Sequence, residues 1–242
     1  MADPKSVLSP DARQARPRQP EYVTTQQIAP TTSRSPQRPK KRPEWLIPAG
    51  LILLSLVPVL AGAMRLTELS TGPAVTEANA RFVNSPVPVV IHIISATTYL
   101  LLGALQFVPR LRRGRPSWHK MAGRILVPAG LLAALSGIWM GIFYTRPVLD
   151  MTARIVFGTL MVTFILLALR AVLRKDFRTH RAWMIRGYAV GIGAGTQVFT
   201  MLAWVVATNG ATPDANTTVA LLAAGWVINL AVAEVAIRRS VA

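Results

Sequence analysis

Past residue 44 the chain alternates long apolar runs with short polar connections. Six runs stand out, at residues 45–64, 86–109, 125–145, 155–173, 187–208 and 218–237. Each comes near the length of about 20 residues that a helix needs to cross hydrocarbon. A backbone in that setting has to satisfy its own hydrogen bonds, and for runs of this length the helix is the solution. The pattern therefore predicts an all-α fold, a polytopic membrane bundle of about six transmembrane helices within residues 45–242. Residues 1–44 carry eight prolines and no apolar periodicity. Such a segment buries too little to offset the entropy of ordering, so it reads as a disordered, basic, Pro-rich tail.

Composition agrees with a lipid environment. Of the 242 residues 52% are hydrophobic and 15% charged, which is too little polar surface to coat a soluble globule of this size. The net charge of +17 changes the picture through its distribution. Placing the tail and every second connection on one side gathers 23 of the 27 Lys and Arg there and leaves the other side with no net charge. By the positive-inside rule the basic side is cytoplasmic, and both termini lie on it. The cluster Pro39-Lys40-Lys41-Arg42-Pro43, just before the first run, is expected to rest on an anionic inner leaflet. Basic residues spaced between apolar runs, and not gathered on a soluble face, speak against nucleic acid as a partner. The first run is read as a retained helix. Ala61-Gly62-Ala63 resembles a signal-peptide cleavage site, but the basic segment before the run is far longer than a signal peptide carries. The absence of cysteine removes disulfides, thiolate metal sites and cysteine nucleophiles, leaving His and carboxylates as metal ligands.

Polar residues within the runs are the candidate functional positions. In the second run His92, Tyr99 and Gln106 recur at intervals of seven and share a helix face with Ser95 and Gly103. Polar groups need partners in hydrocarbon, so this stripe is expected to face the bundle. It would serve there either as a ligand- or proton-handling surface or as interhelical hydrogen bonding. Gly187, Gly191 and Gly195 form consecutive GxxxG steps and Gly137 with Gly141 another, which predicts close-packing seams. The same glycine-rich stretch, GIGAG, has no preceding strand or Walker lysine, which argues against a phosphate loop. Glu234 reads as the only carboxylate inside a run, and its expected partner is Arg238, four residues on. Neither an acidic group nor a broken helix is expected near the midplane, which weighs against ion-coupled transport.

Two of the three histidines, His119 and His180, lie in the related junctions WHKMAGR and THRAWMIR, each shortly before an Arg. A duplicated helix pair and independently basic loops both account for that likeness. The histidines themselves read either as headgroup contacts or as a metal centre shared between the two junctions. Neutral imidazoles ligate iron, and equal depth makes b-type haem the group such a pair would hold. Arginines would then meet the propionates, with Trp118 and Trp183 beside the ring.

The segments HIISATTYLLLGALQFVPRLRR, SWHKMAGR and THRAWMIRGYAV, within residues 89–190, resemble the bacterial predicted membrane proteins of domain-of-unknown-function family 2306. The resemblance implies a family-like core over residues 86–208 in a multi-pass protein of the bacterial inner membrane. It marks Arg112, Gly123, Arg124, Arg181, Trp183, Met184 and Arg186, together with His92, Gln106, His119 and His180, as characteristic positions. It names no reaction. Lys120 departs from the Arg expected after the His.

The paired histidines put a small redox or haem-associated membrane protein first among the activities open on the sequence, with a transporter or sensor of small lipophilic molecules as the alternative and a scaffold subunit without chemistry as a third class. A membrane-protein partner or a second copy of the chain would accompany the last. Hydrolase triads, metalloprotease motifs and kinase signatures do not occur. The topology has a direct test in reporter fusions. Alkaline phosphatase fused after Arg115 is expected to be inactive and the same reporter after Asp214 active; activity at Arg115 would overturn the orientation.

Overall fold

The computed structural model of the chain describes residues 44–145 and 147–239, with backbone alone at 112 and 113. The tail expected over residues 1–44 lies, up to residue 43, outside the described residues. The described elements are helices: α1 (Leu46–Ser70), α2 (Ala80–Val83), α3 (Pro86–Leu105), α4 (Pro109–Gly114), α5 (Pro116–Tyr144), α6 (Val148–Leu173), α7 (Phe177–Gly191), α8 (Gly193–Ala207) and α9 (Ala215–Arg239). Five of them, α1, α3, α5, α6 and α9, are long and apolar enough to cross a membrane, and α7 with α8, bent by 47°, are so together, as a broken span that is fifth of six in chain order.

Several helices run past the limits of their apolar runs, because polar ends continue the helical phase into the headgroup region. Proline at the start of α5 is pre-set for a first turn, so the helix begins at Pro116 and carries His119, Gly123 and Arg124 along its length. Likewise α6 begins at Val148, which brings Asp150 and Arg154 into its first two turns. An acidic residue there is favoured by the helix dipole. Asp176 caps α7 by accepting from the Thr179 N–H at 3.0 Å, and that bond holds its carboxyl below the ordinary range. A lowered pKa means that the cap's contribution is whole above the ordinary carboxylate pKa and is lost as pH falls through the lowered one.

The most buried spans are α3 and α5, each with 33% of its apolar window inside the bundle, against 11% for α1 and α9. Around this middle, α6 packs on α5 and α7, α1 packs on α3, and α8 lies between α1 and α9. Leu53, Val57, Leu60 and Met64 of α1 stay exposed, an apolar surface suited to lipid. At the centre Tyr99 keeps 1% of its surface. Its ring lies so close to two backbones that a Cβ added at Gly130 of α5 would stand 2.6 Å away, and one at Gly191 of α7 2.9 Å away. Tyr188 does the same against Gly103, at 2.6 Å, and its hydroxyl donates to the Leu100 carbonyl at 2.9 Å. Small residues here admit large rings from neighbouring helices.

The bend at Ile192 corrects the expectation of unbroken helices, and its causes lie in the neighbours. Asn229 of α9 donates to the Ala189 carbonyl at 3.2 Å while its own side-chain oxygen accepts from Thr196 at 2.7 Å, so α9 serves the polar groups beside the break. Trp226 of α9 sits on Gly193, where a Cβ would meet the indole nitrogen at 2.2 Å. Gly195 lies against the Leu54 carbonyl of α1, again 2.2 Å from an added Cβ. Leu54 is four residues before Pro58, which has no N–H to bond it, so the carbonyl that meets Gly195 lacks its helical partner. The expected seam is therefore split. Gly187 and Gly191 face Tyr99, whereas Gly195, beyond the break, faces α1.

Gly130→Val should force the Tyr99 ring or α5 to move, at a cost of about 1–3 kcal/mol, read as a lowered unfolding temperature of the purified protein. Gly50→Ala in α1, where an added Cβ meets nothing within 4 Å, is expected to leave that temperature unchanged or raise it slightly.

Candidate functional site

The polar stripe of α3 turns inward along its whole length. His92 Nδ1 lies 2.9 Å from the Ala133 carbonyl and 3.2 Å from Ser136 Oγ, both on α5. A carbonyl only accepts, so Nδ1 carries the proton and Nε2 of the neutral ring keeps its lone pair. Gly137 gives the imidazole its room, since a Cβ there would stand 3.4 Å from Cε1. Two turns further on, the Tyr99 hydroxyl is buried with no hydrogen-bond partner among the described residues. Gln106 closes α3 and its Oε1 is hydrogen-bonded to Nδ1 of His119; its Nε2 is buried without a partner among the described residues.

At the basic end the characteristic residues act mostly as ties between helices. His180 Nδ1 donates to the Ala168 carbonyl of α6 at 2.9 Å, while His119 is tied to α3, so the two imidazoles are fastened to different helices. Trp183 stacks on Phe164 at 5.4 Å, and the Arg186 guanidinium stands 4.5 Å over the Trp183 ring. Arg186 also grips Glu234 of α9 with two nitrogens, at 2.5 and 2.9 Å. This replaces the expected Glu234–Arg238 pair, because a bidentate guanidinium from a facing helix outcompetes a neighbour on the same one. Arg124 and Arg181 are exposed, Gly123 and Met184 half-buried, and the side chain of Arg112 lies outside the described residues.

Toward the other end the spans line an open cleft with a cavity volume of about 240 Å³. His92 and Tyr99 of α3 line it, with Arg154 and Phe157 of α6 and Trp226 of α9. Both halves of the bent span contribute, through Val190 and Gly191 before the break and Ala194 and Gln197 after it. Phe157 and Trp226 stack at 4.5 Å and form an aromatic wall. Gln197 donates to the Leu222 carbonyl at 2.9 Å, which fixes it against α9. A second space of about 440 Å³ adjoins it, lined by Arg81, Phe82, Tyr144 and Asp150. Met140 and Arg154 belong to the walls of both.

Asp150 and Arg154, expected in a connection, lie in the first two turns of α6 ahead of its apolar run. They form an ion pair one turn apart, with Nε and Nη2 of the guanidinium 2.9 and 3.2 Å from the carboxylate oxygens. The usable signal was the spacing of Asp150 and Arg154, which continues the phase of the apolar run behind them.

The pattern that defines the predicted membrane protein (DUF2306) family matches residues 89–237, from the polar stripe of α3 to the end of α9. The chain belongs to this family. No characterised protein and no solved structure matches it. The DUF2306 segment includes His92, Tyr99, Arg154, Gln197 and Trp226, and only the α1 wall of the cavity, at Pro58, Val59 and Gly62, falls outside it. Both the ties at the basic end and most of the cavity therefore lie within the family's extent.

The Arg186–Glu234 tie is open to a double-mutant cycle on thermal unfolding. Arg186→Ala and Glu234→Ala should each destabilise, and the double variant should lose less than their sum, by about 1 kcal/mol. Arg238→Ala is expected to show a smaller coupling to Glu234, since Arg238 acts on that carboxylate through charge alone.

Proposed function

We propose that this DUF2306 protein binds a small lipophilic molecule within the membrane, as a transporter or sensor, and sits in a bacterial inner membrane with its basic end at the cytoplasmic leaflet. One observation carries the reading: a cavity of about 240 Å³ lies where the fifth span breaks and is lined by both halves of that span. Membrane binding sites favour such breaks, because irregular backbone is tolerated in hydrocarbon where it lines a cavity. The walls are largely apolar and aromatic, with a few polar groups converging, which is the usual make-up of a small-molecule site. An apolar cavity of about 150 Å³ takes benzene, so this one suits a single ring with a short chain, roughly ten to twelve non-hydrogen atoms. The haem reading depends instead on His119 and His180, which are bonded through Nδ1 to α3 and to α6; such bonds are compatible with ligation through Nε2, so the absorption spectrum decides between the readings.

Calorimetric titration of the purified full chain with phenylbutanamide, a neutral molecule of that size, tests the proposal. Saturable binding is expected, and Ala96→Phe, which adds a ring at the cavity wall, should abolish it while helicity and elution volume stay unchanged. Equal heats from both proteins would mean partition into the micelle and would sink the reading. A Soret band lost in both His119→Ala and His180→Ala would put the haem reading first.

A further inference from the structure

We propose that the molecule bound in this cavity is a carboxylate, whose head group Arg154 takes in exchange for Asp150; the proposal rests on the ligand-binding reading above. Arg154 stands at the junction of the two spaces, since it lines both. Gly141 fixes that position: a Cβ there would stand 3.0 Å from Arg154 Cβ, so α5 and α6 approach closely where the arginine stem emerges. The pair is asymmetric in its access. Arg154 keeps 40% of its side-chain surface and Asp150 17%, so the arginine side chain is the more accessible of the two.

The guanidinium offers five N–H donors in a planar fork, of which Asp150 engages those on Nε and Nη2. An ion pair one turn apart on a single helix is weak where solvent reaches it. A second carboxylate arriving in the outer space can therefore share or displace Asp150 without a large loss. The charge around that space favours such a visitor. Arg81 lines it with its guanidinium 4.7 Å over the Phe82 ring, so two arginines face one aspartate and the field is net positive.

Beyond Arg154 the chemistry changes from charged to apolar. The Phe157–Trp226 stack provides a flat face for a ring, and His92, with its proton fixed on Nδ1, presents an imidazole that accepts at Nε2. An amphiphile with a carboxylate at one end and a ring or short chain at the other matches this sequence of surfaces. A neutral molecule of the same shape would fill the cavity and leave the guanidinium with Asp150 alone.

The test compares phenylbutyrate with phenylbutanamide on the intact full-length protein, using Ala96→Phe as the blank. The acid is expected to bind about tenfold more tightly than the amide, as a charge-assisted bidentate contact allows. Arg154→Gln should bring the acid down to the amide's affinity. Asp150→Asn, which frees the guanidinium and retains a side chain of the same shape, should widen the acid's preference severalfold. It keeps the test sharp should Arg154→Gln fail to fold. Octanoate is the third probe: preference for it over phenylbutyrate assigns the carboxylate to a lipid source, and the reverse to a free aromatic acid. Equal binding of acid and amide, or an unchanged preference in Asp150→Asn, would overturn the head-group assignment while leaving the cavity as a binding site. If neither compound binds, the ligand-binding reading itself fails.

Discussion

In hydrocarbon no water-driven force draws helices together, so a bundle holds only where backbones approach closely and polar groups meet partners. In this chain the first condition is met at the Tyr99 ring. Gly130 on one side and Gly191 on the other bring α5 and α7 onto it, and Gly187 lies beside its hydroxyl. Ile165 of α6, with no exposed surface, completes the packing. A side chain at Gly130 or Gly191 would meet the ring and push a helix outward. The same ring is a wall of the cavity, so the space that suits a ligand is left by the packing that makes the fold.

Polar chemistry is divided along the bundle. At the basic end the residues of the two histidine junctions make contacts between helices: His119 with Gln106, His180 with the Ala168 carbonyl, Trp183 with Phe164, Arg186 with Glu234. At the opposite end the polar groups are fewer and surround open space, and Arg154 is shared between two spaces. A motif search leads to the first set, whereas geometry leads to the second.

How much of this was legible in the residues follows from the range of each interaction. The six spans were visible because hydrophobic length is a local property, and the inward stripe of His92, Tyr99 and Gln106 was visible because seven residues make nearly two turns. The glycine seams were legible as seams, but which ring each glycine admits was not, since Tyr99 and Gly191 lie on different helices. The break at Ile192 escaped because the causes are on α1 and α9: the Leu54 carbonyl left by Pro58, the Trp226 indole and the Asn229 amide. Arg154 was passed over for a simpler reason. An apolar run ends at its last hydrophobic residue, but the helix does not, and the first turns of α6 hold the charged pair at the junction of the two spaces.

The last helix supplies partners to groups made long before it. Glu234 answers the charge of Arg186, Asn229 bonds the Ala189 carbonyl, and the Leu222 carbonyl takes the Gln197 amide. The fifth span opens with the polar stretch FRTHRAWMIR, which is a poor substrate for insertion on its own. A nascent chain halted before α9 would hold that stretch with its guanidinium and break-side carbonyl facing lipid or headgroup water. The guanidinium and the break-side carbonyl of the fifth span thus meet these partners only with α9 packed against α7.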